Sequence, residues 1–135
     1  MKSQIKLVLA TVLVFLTLTS FASNIQDVKE KSLTHIIICW LDKSVKSNDI
    51  EVIINETKKL NSIPGVSGFS VGKSIKSNRD IVDDSFTFAV SMKFKNMKEM
   101  NTYLKSKMHV NYVKNVLKSK AVKIIAYDFE NETSN

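Results

Sequence analysis

The chain has few of the residues that form disulfide-bonded, metal-binding or phosphate-binding folds: it has one cysteine, two histidines and three glycines in 135 residues. With Cys39 alone, no disulfide can form within one chain. The two histidines, His35 and His109, lack the paired carboxylates or cysteines of a metal site, so none is predicted. The glycines fit no phosphate-binding pattern, and no nucleophilic triad is evident, so no cofactor is expected.

Lysine is abundant, and the formal net charge is +7. Residues 1–22 hold two lysines and no acids, so without them 18 basic and 13 acidic residues leave a charge of +5. The lysines are scattered among acids and asparagines and are not interleaved with exposed aromatic residues. This pattern predicts a solvated surface and no binding of nucleic acid. Length and composition predict one globular domain.

The one long apolar run lies at the N-terminus, over residues 7–18. Lys2 and Lys6 give a basic start, and Ser20-Phe21-Ala22 forms a small-x-small cleavage site. The run is shorter than the roughly 20 residues of a bilayer-spanning helix. We therefore expect a signal peptide at residues 1–22, a linker at residues 23–32, and an exported protein, periplasmic or secreted, without a stable membrane anchor after cleavage. An uncleaved anchor is the alternative.

Hydrophobic patterns after the linker predict the order β-α-β-β-α-β. The first helix has Asn48 and Glu51 as a capping box, the second has Asn96 and Glu99, and its pattern is broken into two pieces near Met108. The order predicts an α+β, ferredoxin-like sandwich. The predicted strands are residues 33–41, 66–74, 85–95 and 121–129.

Both helices are expected on one face of the sheet, which leaves the other face in need of cover. The third strand presents Thr87, Ala89 and Ser91 to that second face, and such small side chains allow another sheet to approach. The sequence therefore predicts a homodimer through the sheet face.

Tyr103 and His109 are the residues with most chemical interest, and they are six positions apart. On one continuous helix they would point about 120° apart. If the helix breaks between them, a tyrosine hydroxyl can donate to a substrate carbonyl while a neutral imidazole accepts a proton from the adjacent carbon. The alternative is that His109 bonds a helix end and Tyr103 packs with its hydroxyl at the rim.

Four segments occur in an order that suggests a family: His35-Ile36-Ile37, Ile63-Pro64-Gly65-Val66, Tyr103 followed by His109-Val110, and Tyr127-Asp128-Phe129. Over residues 33–129, with a tail at residues 130–135, the chain resembles the stress-responsive dimeric α/β-barrel family. The resemblance implies a ferredoxin-like monomer whose sheet pairs with a second copy to form a barrel. Some related plant proteins are polyketide cyclases with a tyrosine and a histidine at the positions of Tyr103 and His109.

The chain departs from the family pattern near these residues. Ser106 and Lys107 stand where members commonly have histidine and proline, and Phe88 stands where cyclases have a histidine. We expect an exported homodimeric stress-response module that binds a small apolar molecule between sheet and helices. The alternative is a cofactor-free cyclase or lyase with His109 as base and Tyr103 as donor. Candidate ligand-binding residues are His35, Phe88, Met92 and Tyr112. The alternative is that these side chains only pack in the core.

Overall fold

The structure is a computed structural model that describes residues 31–132. The predicted signal peptide and most of the predicted linker lie outside the described residues. The predicted order β-α-β-β-α-β and the broken second helix are confirmed. The elements are β1 (Leu33–Leu41), α1 (Ser47–Lys58) with a 3-10 turn (Lys59–Ser62), β2 (Ser67–Lys73), β3 (Phe88–Phe94), α2 (Met97–Lys105), α3 (Lys107–Tyr112) with a π-helix (Val113–Leu117), and β4 (Ala121–Glu130).

The four strands form one antiparallel sheet in the order β2-β3-β1-β4. Directly paired residues share a face, so the register His35↔Met92 and Cys39↔Phe88 defines the helix face, which the helices cover. Alternate residues of β3, from Phe88 to Phe94, are at most 4% exposed there. They join Ile53 of α1, Met100 of α2 and Leu117 of the π-helix in one core.

The opposite face, called the open face below, carries apolar side chains that the described residues leave partly exposed. Ile36 pairs with Tyr127, and Ile38 pairs with both Ala89 and Ile125, so these side chains share that face. Tyr127 is 55% exposed. A monomer therefore leaves an apolar sheet face in contact with water. No helix in the part of the chain that the structure describes is long and apolar enough to span a membrane.

Local signals near the first helix and the third strand gave wrong predictions. The amide of Ile50 donates to the carbonyl of Lys46 at 3.0 Å, so helical bonding starts at Lys46 and no side chain caps α1. Asn48 therefore lies inside the helix, not at its cap. Thr87 lies outside β3, where its hydroxyl oxygen accepts from the amide of Leu41 at 2.9 Å. Along β3, only Ala89 and Ser91 of the three predicted small residues take part in the open face.

The predicted cap at Asn96 is confirmed. The side-chain oxygen of Asn96 accepts from the amide of Glu99 at 3.0 Å, and the Glu99 carboxylate accepts from the amide of Lys95 at 2.9 Å. These two bonds satisfy backbone donors at the start of α2. They fix the point at which the chain leaves β3 and enters the helix that carries Tyr103.

Candidate functional site

The helix break that the site requires is supplied by Ser106. Its backbone is extended, with φ −63° and ψ 143°, and its amide donates to the carbonyl of Tyr103 at 3.0 Å where α2 ends. Its hydroxyl oxygen accepts from the amide of His109 at 3.2 Å where α3 begins. One serine thus ends one helix and caps the next. The rings of Tyr103 and His109 come together with centroids 4.7 Å apart.

These two rings line a cavity of about 150 Å³ between the helix layer and the sheet. The sheet contributes apolar side chains such as Phe88 and Met92, and the helix layer contributes Tyr112. Val113 of the π-helix and Ile124 of β4 also line the cavity and are 37% and 44% exposed. The cavity therefore opens between the π-helix and β4, and its walls are mainly apolar.

The two tyrosines at the cavity differ in what their hydroxyls contact. Thr57 donates its one proton to the carbonyl of Ile53 at 2.7 Å, so the Tyr112 hydroxyl must be the donor in its 2.6 Å bond to Thr57. The Tyr103 hydroxyl makes no hydrogen bond to any residue from 31 to 132. No enclosed side-chain oxygen of the described residues lacks a partner, which is consistent with a Tyr103 oxygen that reaches the cavity its side chain lines.

Burial keeps both hydroxyls protonated. It raises the pKa of Tyr112 to about 12, and the hydrogen bond between Tyr112 and Thr57 only partly opposes this. Burial also raises the pKa of Tyr103 well above its ordinary value, with a smaller contribution from nearby Tyr112. At neutral pH the Tyr103 side chain is therefore a neutral hydrogen-bond donor that has no acceptor among residues 31–132.

His109 is held as a neutral acceptor. Its Nδ1 lies 3.0 Å from the carbonyl of Leu104, which can only accept, so Nδ1 carries the proton and Nε2 carries the lone pair. Burial lowers the pKa of His109, the bond to Leu104 raises it, and nearby His35 lowers it. With a pKa below the ordinary 6.5, the imidazole is uncharged at neutral pH and can accept a proton at Nε2.

His35 does not line the cavity; it packs against Tyr103 from the sheet, with ring centroids 6.1 Å apart. It is 4% exposed, and its Nδ1 donates to the carboxylate of Asp128 at 2.5 Å. Because β1 and β4 pair His35 directly with Asp128, the two side chains share the helix face. His35 therefore supports the Tyr103 ring, and its predicted contact with a ligand stays a prediction.

The structure brings five of the six predicted site residues to the cavity: Tyr103, His109, Phe88, Met92 and Tyr112. Their roles in catalysis or ligand binding stay predictions. Sequence reasoning missed the partners that orient them, namely Thr57, Leu104, Ser106 and Asp128. Thr57 carried one signal, since it is a hydroxyl residue within the apolar stripe of α1. Among residues 31–132, no three side chains of the metal-binding types come together as a metal site.

Comparison with known proteins agrees with this architecture. The family model described as the stress responsive A/B barrel domain matches residues 33–131. The chain belongs to this family. No curated protein matches the chain. The family assignment therefore rests on the domain as a whole.

Solved structures of low sequence identity share the family's ferredoxin-like fold. A Dabb family protein from Mesorhizobium loti has 21% identity and a TM-score of 0.65, covering 77% of this chain and 100% of that one. A hydroxynitrile lyase from Passiflora edulis has 20% identity and a TM-score of 0.68, with coverages of 78% and 98%. A dimeric protein of unknown function from Bacteroides fragilis has 19% identity and a TM-score of 0.60, with coverages of 74% and 96%.

Proposed function

We propose that this protein binds a small, mostly apolar carbonyl compound in the cavity, with the Tyr103 hydroxyl donating to the carbonyl oxygen. The observation that carries this proposal is the contrast between the two tyrosines. The Tyr112 hydroxyl is engaged by Thr57, whereas the Tyr103 hydroxyl borders the cavity without a partner among the described residues. An oxygen acceptor on a ligand gives this accessible hydroxyl a protein–ligand hydrogen bond in place of water, and such a neutral bond contributes about 0.5–1.5 kcal/mol.

The cavity volume sets the size of the ligand. A cavity of 150 Å³ is the size that accepts a benzene-sized molecule, and it is smaller than the roughly 300–1,000 Å³ of most ligand sites. A long linear polyketide exceeds this space, so the proposal does not extend to polyketide cyclisation. A single ring or a short branched chain that bears one carbonyl fits it.

The proposal includes export and a homodimer. Export rests on the signal-peptide pattern of residues 1–22. The homodimer rests on the apolar open face, where Tyr127 and Phe129 are 55% and 48% exposed, and on the dimeric neighbour from Bacteroides fragilis. A role under stress rests on the family description alone.

A pair of ligands with matched shapes tests the carbonyl contact. Cyclopentanone and methylenecyclopentane have nearly the same shape, but only the ketone has an oxygen acceptor. Tyr103→Phe keeps the ring and the cavity, so it is expected to weaken ketone binding by about fivefold, the equivalent of one neutral hydrogen bond. Binding of the hydrocarbon is expected to stay unchanged. Binding is followed by NMR titration of the Met92 methyl group, which lines the cavity.

Tyr112→Phe is the matched control, because it removes a hydroxyl that already bonds Thr57. It is expected to lower stability without changing the preference for the ketone. An equal loss of ketone binding in both variants would refute a specific donor role for Tyr103. No shift of the Met92 methyl with either ligand would reject the cavity as a binding site.

A second candidate function, a cofactor-free lyase, is favoured by the tautomer and low pKa of His109. Nε2 of His109 takes a proton from the carbon next to the carbonyl, and the carbon–hydrogen electron pair moves to form an enolate. Tyr103 donates a hydrogen bond to the enolate oxygen, where negative charge develops. In a lyase reaction the enolate electron pair then forms a carbon–carbon double bond and expels a leaving group from the next carbon, and the imidazolium protonates that group; when the ketone has no leaving group, the proton returns to carbon. The fold neighbour from Passiflora edulis is a lyase, which supports this class of chemistry in the fold.

Hydrogen–deuterium exchange tests this step without knowledge of the natural substrate. In deuterium oxide, the protein is expected to speed exchange at the α-carbons of cyclopentanone, as read by proton NMR. His109→Ala is expected to lower that rate by about 100-fold or more. Exchange at the wild-type rate in His109→Ala would exclude His109 as the base, while binding of the ketone would still stand.

A further inference from the structure

Leu60 and Tyr112 line two separate spaces. They border the internal cavity, and they also border a groove of about 410 Å³ on the outer surface. This outer groove is lined further by residues of α1, α3 and the π-helix, among them Glu56, Met108, Asn111 and Asn115. We infer that Leu60 and Tyr112 form an end wall that limits the length of the ligand; this inference rests on the proposed function.

The end wall is closed and held in place. Leu60 is 3% exposed and Tyr112 is 8% exposed, although both border the outer groove. The Tyr112 hydroxyl is fixed by Thr57, which in turn bonds the carbonyl of Ile53 within α1. One hydrogen-bonded chain thus ties the end of α3 to α1. A ligand that enters between Val113 and Ile124 therefore meets a rigid barrier and cannot extend into the outer groove.

The position of the end wall defines the ligand class. With the wall in place, the cavity admits one ring next to Tyr103 and His109. Without the Tyr112 ring, the cavity and the outer groove become one space, and the ligand can extend past Leu60. Polar side chains, Glu56, Lys59 and Asn111 among them, line part of the groove, so a second ring or a chain with a polar end fits there. Tyr112 is thus a specificity-determining residue.

Two methionines report on the two spaces separately. Met92 lines only the cavity, and Met108 lines only the outer groove. In protein labelled at the methionine methyl carbons, cyclopentanone is expected to shift the Met92 signal of the wild type. The larger 2-acetonaphthone is expected to leave that signal unchanged. In Tyr112→Ala, 2-acetonaphthone is expected to shift both signals and to bind about tenfold tighter or more, while cyclopentanone does not gain affinity.

Tyr112→Phe is the control, because it keeps the ring while removing the bond to Thr57, and it is expected to exclude 2-acetonaphthone as the wild type does. Leu60→Ala opens the same wall, and it replaces Tyr112→Ala as the test variant if Tyr112→Ala does not fold. If 2-acetonaphthone shifts Met92 equally in wild type and in the opened variants, the end wall is refuted while the proposed ligand site survives. If cyclopentanone fails to shift Met92 in the wild type, the proposed function itself fails.

Discussion

The two faces of the sheet carry similar apolar residues, but the helices cover only one of them. On the helix face, Cys39 and Phe88 are at most 1% exposed, and the candidate site lies among such residues. On the open face, Tyr127 and Phe129 are about half exposed. Hydrophobic residues of one kind therefore stabilise the monomer on one face and remain available for a partner on the other.

The sharpest test of this comparison makes the same substitution on each face. Phe88→Ala on the helix face is expected to lower the free energy of unfolding by about 3–5 kcal/mol, because it leaves a cavity in a packed core. Phe129→Ala on the open face is expected to cost about 1 kcal/mol or less in the monomer. Urea unfolding at submicromolar protein measures both. Equal losses would contradict the division of roles between the two faces.

The next prediction concerns the proposed homodimer through the open face. Tyr127→Lys places a charge on the open face, where we propose that the second sheet packs, and it is expected to weaken the homodimer by about 2 kcal/mol or more, roughly 30-fold in dissociation constant. Val52→Lys, on the exposed side of α1, is the control and is expected to leave the dimer intact. Sedimentation velocity gives the dissociation constants. A wild-type protein that is monomeric at micromolar concentration would remove the homodimer from the proposal.

Within β4, two acidic residues on the helix face are expected to differ in their contribution to stability. Asp128→Ala removes the acceptor of the buried His35, and it is expected to cost about 1 kcal/mol, because water at the half-exposed Asp128 position replaces part of the bond. Glu130→Ala, two residues further on the same face, removes only an exposed ion pair with Lys31 and is expected to have no measurable effect. Thermal unfolding compares the two variants. A larger loss in Glu130→Ala would contradict the support given to His35.

The hydrophobic patterns predicted the fold well, because every second residue of a strand and every third or fourth residue of a helix faces the core. The bounds of β1 agree with the prediction, and β4 extends one residue further than predicted. The prediction of Asn48 as the N-cap was wrong because several polar residues precede the helix. Backbone hydrogen bonding decides which of them is the cap, and here it begins at Lys46. The helix end at Asn96 was predictable, since its partner Glu99 lies at the usual spacing.

The site was less predictable than the fold. Tyr103 and His109 converge only because the helix breaks; the hydrophobic pattern predicted a break near Met108, but without a proline it did not place the break at Ser106. A serine such as Ser106 is too common a residue to serve as a signal. The bond from Tyr112 to Thr57 joins residues 55 positions apart, and that from His35 to Asp128 joins residues 93 apart. Such contacts depend on strand register and helix packing, which spacing along the chain does not encode.

The smallest expected effect is a pH dependence that comes from His109, which lines the cavity between the sheet and the helix layer. Burial lowers the pKa of His109 in the folded protein below the 6.5 of the unfolded chain. The unfolded state therefore binds more protons below pH 6.5, so stability is fully present above that pH and falls as the solution is acidified toward the folded-state pKa. His109→Gln is expected to flatten this slope in urea unfolding between pH 7 and pH 5. A slope that is unchanged in His109→Gln would assign the acid sensitivity to other groups.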